Sequence, residues 1–289
     1  MFQKDLEAHV RQVDSHLLQL FSGNGILSES MNYSLAAGGK RIRPVLALAA
    51  AKAVGGDEES ILPAACALEL IHTYSLIHDD LPAMDDDDYR RGRLSNHKVF
   101  GVGQAILAGD ALLTYAFELL AQSINSVTPE RQLRVIREVA QAAGPQGMVG
   151  GQVLDLEAEE KVLALAELER IHRLKTGAML VVAARLGAIL AGGTEEKIEA
   201  LTSYAQAIGL AFQIRDDILD IEGDSESLGK PAQSDIRQHK ATYPSLMGIE
   251  GAKSELMNKI DEAHAALETL GERSSFLHDL ADFIAQRKF

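Results

Sequence analysis

The sequence predicts an all-α protein whose 289 residues form a single domain, residues 1–289. Hydrophobic residues make up 46% of the chain but aromatics only 5%, tryptophan is absent, and Ala and Leu fill most apolar positions, which favours packed helices over sheets. Apolar residues recur at steps of three and four along most of the chain. No Gly/Ser-rich or Pro-rich linker divides it, and no repeat of fixed period is present.

Leu6, Val10, Val13, Leu17 and Leu20 mark an amphipathic helix ending near Phe21, ahead of Gly23-Asn24-Gly25. A second helix, about 28 to 37, stops at Gly38-Gly39 and delivers Lys40-Arg41-Ile42-Arg43, with Pro44 placed to open the next helix. Three cations meet at this junction. An ordinary basic cap is one reading; the other is that the glycine turn lets backbone approach a ligand while Lys40 and Arg43 grip a diphosphate. Residues 44 to 54 are apolar almost all round and belong at the centre of the fold. From Ile61 to Asp80 runs a helix on which Leu68, His72, Ser75 and Asp79 share one face, expected to line a cavity with His72 in reach of a ligand.

Asp79, Asp80, Asp85, Asp86, Asp87 and Asp88 follow one another within ten positions, and like-charged carboxylates this dense resist joint ionisation unless a cation shares them. Asp79 and Asp85 lie about 120° apart on an ideal helix, so they share a metal only if the helix breaks, and Pro82 supplies the break. Magnesium takes one or two protein carboxylates and completes its shell with water and phosphate oxygens, and Arg90-Arg91-Gly92-Arg93 directly after the acids suits a phosphate ester. A solvated acidic loop or a fortuitous calcium site is the plain alternative. Against it stands a second cluster, Asp216-Asp217-Ile218-Leu219-Asp220, in which Asp216 and Asp220 stack on one helix face; two such clusters can clamp one ligand.

Between the clusters, helices are expected over about 102–124 and 128–143, the second punctuated by Gly144-Pro145, followed by Gly150-Gly151-Gln152-Val153-Leu154-Asp155 with Gln152 and Asp155 on one face. A long helix, about 165 to 191, carries Lys175-Thr176-Gly177 in its middle, where glycine permits a kink. Another, about 195 to 222, carries Phe212-Gln213 one turn before Asp216. Asp224 to Lys240 is a polar flap with Lys230 and Lys240 as phosphate candidates, and 243 to 287 is helical with a basic end at Arg287-Lys288.

A net charge of −14 argues against nucleic acid as a partner, because a sequence-independent phosphate grip needs a basic face. The single cysteine, Cys66, forms no internal disulfide and suits a reduced cytosol and a core position. The N-terminus lacks a signal-peptide core, and charges such as Lys52 and Arg185 interrupt the longest apolar runs, so a soluble, cytoplasmic protein without stable membrane association is expected.

Taken together, Gly38-Gly39-Lys40-Arg41-Ile42-Arg43-Pro44, the first aspartate-rich stretch with its Arg90-Arg91-Gly92 tail, Gly151-Gln152-Val153-Leu154-Asp155, Lys175-Thr176 and Phe212-Gln213-Ile214-Arg215-Asp216-Asp217-Ile218-Leu219-Asp220 resemble the trans-isoprenyl diphosphate synthases, and within them the bacterial farnesyl diphosphate synthase (geranyltranstransferase) group. The resemblance implies a helical bundle around a deep central cavity, a homodimer, and three magnesium ions per site when substrate is bound. It implies that Lys40, Arg43, His72 and Arg91 bind the diphosphate of isopentenyl diphosphate, and that Arg90, Lys175, Thr176, Gln213 and Lys230 hold the allylic diphosphate. Lys175, Thr176 and Gln213 would also serve the chemical step. Asp79, Asp85 and Asp216 would be the principal metal ligands, with Asp80, Asp217 and Asp220 behind them. Chain length would be set below Asp79, where Ser75 is too small for a floor and Tyr74 matches the aromatic stop of farnesyl synthases. A geranylgeranyl diphosphate synthase, a terpene cyclase and a non-catalytic partner subunit are the alternatives; a cyclase needs no second diphosphate site, and an inactive subunit has no need of two repelling aspartate clusters.

Overall fold

A computed structural model describes residues 2–158, 161, 163–222 and 241–287. Thirteen α-helices are present among them: α1 (Phe2–Leu17), α2 (Ile26–Leu35), α3 (Ile42–Val54), α4 (Leu62–Asp79), α5 (Asn96–Phe100), α6 (Val102–Ala121), α7 (Pro129–Ala143), α8 (Met148–Ala158), α9 (Leu165–His172), α10 (Ala178–Leu190), α11 (Glu195–Glu222), α12 (Tyr243–Ala266) and α13 (Ser275–Gln286). The only strands among the described residues are β1 (Tyr89–Arg90) and β2 (Arg93–Leu94), an antiparallel pair in which Tyr89 faces Leu94 and Arg90 faces Arg93. Arg90-Arg91-Gly92-Arg93 is thus a tight hairpin, with Arg91 (φ 53°) and Gly92 (φ 74°) both left-handed as a two-residue turn of matching twist requires.

The centre of the fold is a layer in which α6 packs on α4, α4 on α3, α3 on α10, α10 on α11 and α11 on α12. Two of its helices, α3 and α4, are apolar nearly all round, as the runs from Pro44 to Ala51 and from Ala64 to Ile71 show: all are buried, Glu69 included. Small residues let these helices approach closely while Leu and Ile fill the gaps. Cys66 lies free and buried here. On α4 the expected cavity face is narrower than its spacing suggests, because Leu68 has no exposed surface and belongs to the core.

Several boundaries differ from the periodicity. The first helix stops at Leu17, not Phe21, and the next four residues are turns. The second spans 26–35 and not 28–37, since Gly38 and Gly39 take positive φ (76° and 139°) and the chain has already left the helix. The long helix expected over 165–191 is divided: residues 173–177 form a π-helical turn between α9 and α10, placing Lys175 and Thr176 in a locally widened segment. Two helical stretches, Glu59–Asp79 and Val102–Ala121, are long and apolar enough to cross a bilayer by length and composition, which corrects the expectation that charges would interrupt every such run. The first is mostly buried within the fold, as a core helix is.

Candidate active site

A cavity of about 500 Å³ opens where the turn before α3, the middle of α4, the π turn and α11 meet; Lys40, Arg43, His72, Arg91, Thr176 and Phe212 are among its walls. Its cations come from two loops that interlock. The Arg91 guanidinium donates to the Gly38 carbonyl and lies so close over Gly39 that a Cβ there would stand 2.7 Å from it. Arg41, read as one of three cations at the junction, turns inward instead: left-handed at φ 49°, it donates to Glu69 (2.8 Å), Asp14 (2.8 Å) and the Leu35 carbonyl (2.6 Å). With both Arg41 and Glu69 side chains 2% exposed, Arg41 anchors the loop that presents its neighbours.

Those neighbours bring several positive charges close together. Burial, and then the charges of Arg287 and Arg91, push the Lys40 ammonium down to about 8, with Asp216 partly offsetting them. Burial first, then Arg91, lowers the Arg43 guanidinium, whose buried Nε has no partner, although an arginine stays charged throughout. His72 is held well below the usual histidine range by burial and then by Arg43, Arg91, Arg41 and Arg90, so it is a neutral imidazole. An anion with several oxygens would satisfy this group.

The first aspartate cluster sits at the end of α4. The helix closes at Asp79, and the chain turns back through Pro82 until the Asp85 amide donates to the Asp79 carbonyl at 2.8 Å, bringing the two carboxylates into each other's field as the helix break was expected to do. Burial first, with Asp85 and Asp80 adding and Lys175 and Arg90 opposing, raises the Asp79 carboxyl to about 6. Asp80 is buried and engaged by Arg90, whose Nε donates at 2.9 Å, yet burial still leaves its carboxyl above the ordinary range. Lys175 reaches in from the π turn to Asp155 (2.6 Å) and feels Asp79 and Asp85 as well; these acids outweigh its burial and raise it. Gly151 makes the approach possible, since a Cβ on it would stand 2.3 Å from the Lys175 backbone nitrogen.

In the second cluster, Asp217 accepts the Tyr243 backbone N–H at 2.8 Å and Asp220 is 2% exposed, which leaves Asp216, with 43% of its side chain exposed, as the accessible carboxylate. Asp216 is held at 2.5 Å by Arg287. Among the described residues no three His, Cys, Asp or Glu side chains converge on one point where they could hold an ion by themselves. A hard dication takes only one or two protein carboxylates and completes its shell with water and ligand oxygens, and Asp79 with Asp85, and Asp216, are carboxylates that could serve it.

The structure therefore brings Lys40, Arg43, His72, Arg91 and Thr176 to one cavity, and Asp79, Asp80, Asp85, Arg90 and Lys175 to one acidic rim. Gln213 is half-buried on α11 beside Phe212. Tyr74 is buried edge-on against His78 (5.7 Å) and Ser75 donates to the His72 carbonyl at 2.9 Å; neither is a wall of the 500 Å³ cavity. Lys230, Lys240 and Lys288 lie outside the described residues. Unforeseen were the inward turn of Arg41 and the grip of Arg287 on Asp216, for which a basic residue at the chain's end was the only sequence signal.

A family profile described as polyprenyl synthetase matches residues 24–273, and the chain belongs to that family. It is 48% identical over 287 residues to a farnesyl diphosphate synthase of Geobacillus stearothermophilus, covering 99% of this chain and 97% of that one. To a farnesyl diphosphate synthase of Bacillus subtilis (strain 168) it is 52% identical over 262 residues, 90% of this chain and 88% of the other. Among solved structures, geranylgeranyl pyrophosphate synthetase from Pyrococcus horikoshii superposes with a TM-score of 0.90 at 34% identity, covering 99% of this chain and 98% of that one.

Proposed function

We propose that the chain is a trans-prenyltransferase, acting as one catalytic domain, that condenses isopentenyl diphosphate with dimethylallyl and geranyl diphosphate to farnesyl diphosphate. The observation that carries this reading is the cation-lined cavity set beside two aspartate clusters, an arrangement that suits two diphosphates better than one. Identity of 48% and 52% to the two farnesyl diphosphate synthases supports the product.

Lys40, Arg43, Arg91 and neutral His72 hold the diphosphate of isopentenyl diphosphate, which fixes its double bond in the cavity. Arg90, Lys175, Thr176, Gln213 and, from the part of the chain not described, Lys230 hold the allylic diphosphate. Asp79, Asp85 and Asp216 would hold magnesium, with Asp80, Asp217 and Asp220 behind them; their engagement by Arg90 and the Tyr243 amide, or their burial, suits that rearward role. Bound by these carboxylates, magnesium would supply positive charge to the departing diphosphate. The allylic C1–O bond breaks with its electron pair leaving on diphosphate, the isopentenyl double bond attacks C1, and a proton passes to the released diphosphate. Thr176 and Gln213 face the resulting cation with neutral dipoles, and Phe212 and Leu180 in the wall keep water away.

Tyr74 limits the product in this reading by closing the space beneath Asp79, so Tyr74→Ala shifts products toward geranylgeranyl diphosphate or longer. The protein is cytoplasmic and homodimeric, and the exposed apolar surface of Val99, Val102, Ile106 and Leu107 (40–54% exposed) supports a dimer face on α5 and α6. The test is incubation with magnesium, labelled isopentenyl diphosphate and each of dimethylallyl, geranyl and farnesyl diphosphate, with chromatography of the dephosphorylated alcohols. Farnesol from the first two, abolished by chelator, is expected. Geranylgeraniol as main product favours the longer-chain alternative, and no condensation refutes the enzyme reading.

A further inference from the structure

The end of the chain returns to the site in a way the condensation does not explain. Arg287, directly after α13, lies across the α11 face formed by Phe212, Arg215 and Asp216. Its backbone is clasped: Arg215 donates to its carbonyl from Nε (2.9 Å) and Nη2 (2.6 Å), while its own amide donates to the Phe283 carbonyl at 2.9 Å. Its side chain does something separate. The guanidinium carbon sits 3.9 Å from the centre of the Phe212 ring, and Nη2 donates to the Phe212 carbonyl (2.9 Å) and to Asp216 Oδ1 (2.5 Å). Only 4% of the Arg287 side chain is exposed and its Nε is buried without a partner, a costly way to hold a cation unless that cation is wanted there.

We propose that Arg287 is the resting counter-cation of the second aspartate cluster, excluding a divalent ion from Asp216 until a diphosphate arrives, so that metal and diphosphate enter the site interdependently. The inference rests on the reading of Asp216 as a metal ligand. Three points carry it. Asp217 and Asp220 are 6% and 2% exposed, so Asp216 is the cluster's open carboxylate, and it is the one Arg287 grips. Arg287 is fixed by contacts that do not involve Asp216, so its charge remains within a few ångströms of any ion bound to that carboxylate, where repulsion between cations is strong. Lys40 and Arg91 already share the neighbourhood, with Arg287 among the charges that depress the Lys40 ammonium. A dication alone would face these fixed cations, and a diphosphate brings the negative charge that offsets them.

The test is titration of Mn²⁺ followed by electron paramagnetic resonance, with and without inorganic diphosphate, on the full chain and its variants. Arg287→Gln is expected to bind Mn²⁺ alone roughly 5-fold more tightly at the Asp216-dependent site, the scale of one half-exposed ion pair. With diphosphate bound to offset the charge, Mn²⁺ affinity is expected to stay near that of the unmodified protein, so the tightening that diphosphate brings shrinks about 5-fold, and by reciprocity so does the tightening that Mn²⁺ brings to diphosphate. Arg287→Lys, which keeps the charge, stays near the unmodified protein, and Arg287→Met, which keeps the packing on Phe212, reproduces the Gln variant should that one melt early. Unchanged or weaker Mn²⁺ binding in the Gln and Met variants overturns the proposal. Asp216→Asn separates the two readings: if it leaves every Mn²⁺ affinity unchanged, Asp216 is no metal ligand and the reading beneath the proposal fails with it.

Discussion

His172, in the last turn of α9, stacks on the Tyr243 ring at 5.8 Å and keeps a buried Nδ1 without a partner. Burial first, and then Lys175, pushes its imidazole down to about 4 although Asp155 opposes them. A base with a folded pKa below its unfolded value of 6.5 favours the native state above that value, and the contribution is lost as pH falls from 6.5 toward 4. His172→Phe, which keeps the ring stack, is therefore expected to flatten the loss of stability over this window, by at most ~3 kcal/mol. Urea denaturation at pH 7.5 and 5.0 checks it, and an equal acid loss in both proteins would assign the slope to other groups. The residue types of the site were legible in the sequence because clustered carboxylates and paired arginines are costly without a ligand. The inward turn of Arg41 was not, since Lys40, Arg41 and Arg43 look equivalent until the third dimension supplies Glu69 and Asp14.

At the scale of elements, the π turn at 173–177 is what a reading of periodicity misses. Hydrophobic spacing over 165–191 is that of one helix, and a single widened turn shifts it too little to register. The surroundings account for it: Gly151 lets α8 come so close that a Cβ would meet the Lys175 backbone at 2.3 Å, and Lys175 is drawn to Asp155 on the same helix. Gly151→Ala is expected to force the two elements apart, lowering the melting temperature by several degrees, as ~1–3 kcal/mol of overpacking does, and raising KM for the allylic substrate more than for isopentenyl diphosphate. Unaltered kinetics in a folded Gly151→Ala protein would show that the turn does not position Lys175. By contrast, α11 spans 195–222 as expected, with Phe212 and Asp216 one turn apart, because a long run without proline and with buried positions from Ile198 to Asp220 leaves little choice of length.

For the whole molecule, the bundle itself was readable from its composition, but not its contacts between distant segments. Arg287 and Asp216 are 71 residues apart, and nothing local in either names the other. The apolar surface of α5 and α6 is equally a matter of tertiary arrangement, since α6 turns one face to α4 and leaves Leu107 54% exposed on the other. A charge placed at its centre, Leu107→Arg, is expected to weaken the proposed dimer at least tenfold, the effect of ~1.4 kcal/mol, measured by light scattering over a dilution series. A monomer before substitution, or a dimer indifferent to it, would move the interface elsewhere.

If two diphosphates occupy separate, adjoining sites, initial rates with each substrate varied in turn will tell the sites apart. Lys40 belongs to the cavity with Arg43, His72 and Arg91, whereas Lys175 faces Asp155, Asp79 and Asp85. Lys40→Ala is expected to raise KM for isopentenyl diphosphate at least tenfold while leaving that for geranyl diphosphate within about twofold, a loss of one charge-assisted contact in one site. Lys175→Ala is expected to act on the allylic substrate and on kcat. The opposite pattern, with Lys40→Ala harming only geranyl diphosphate, or equal damage to both substrates by both variants, would contradict the two-site account.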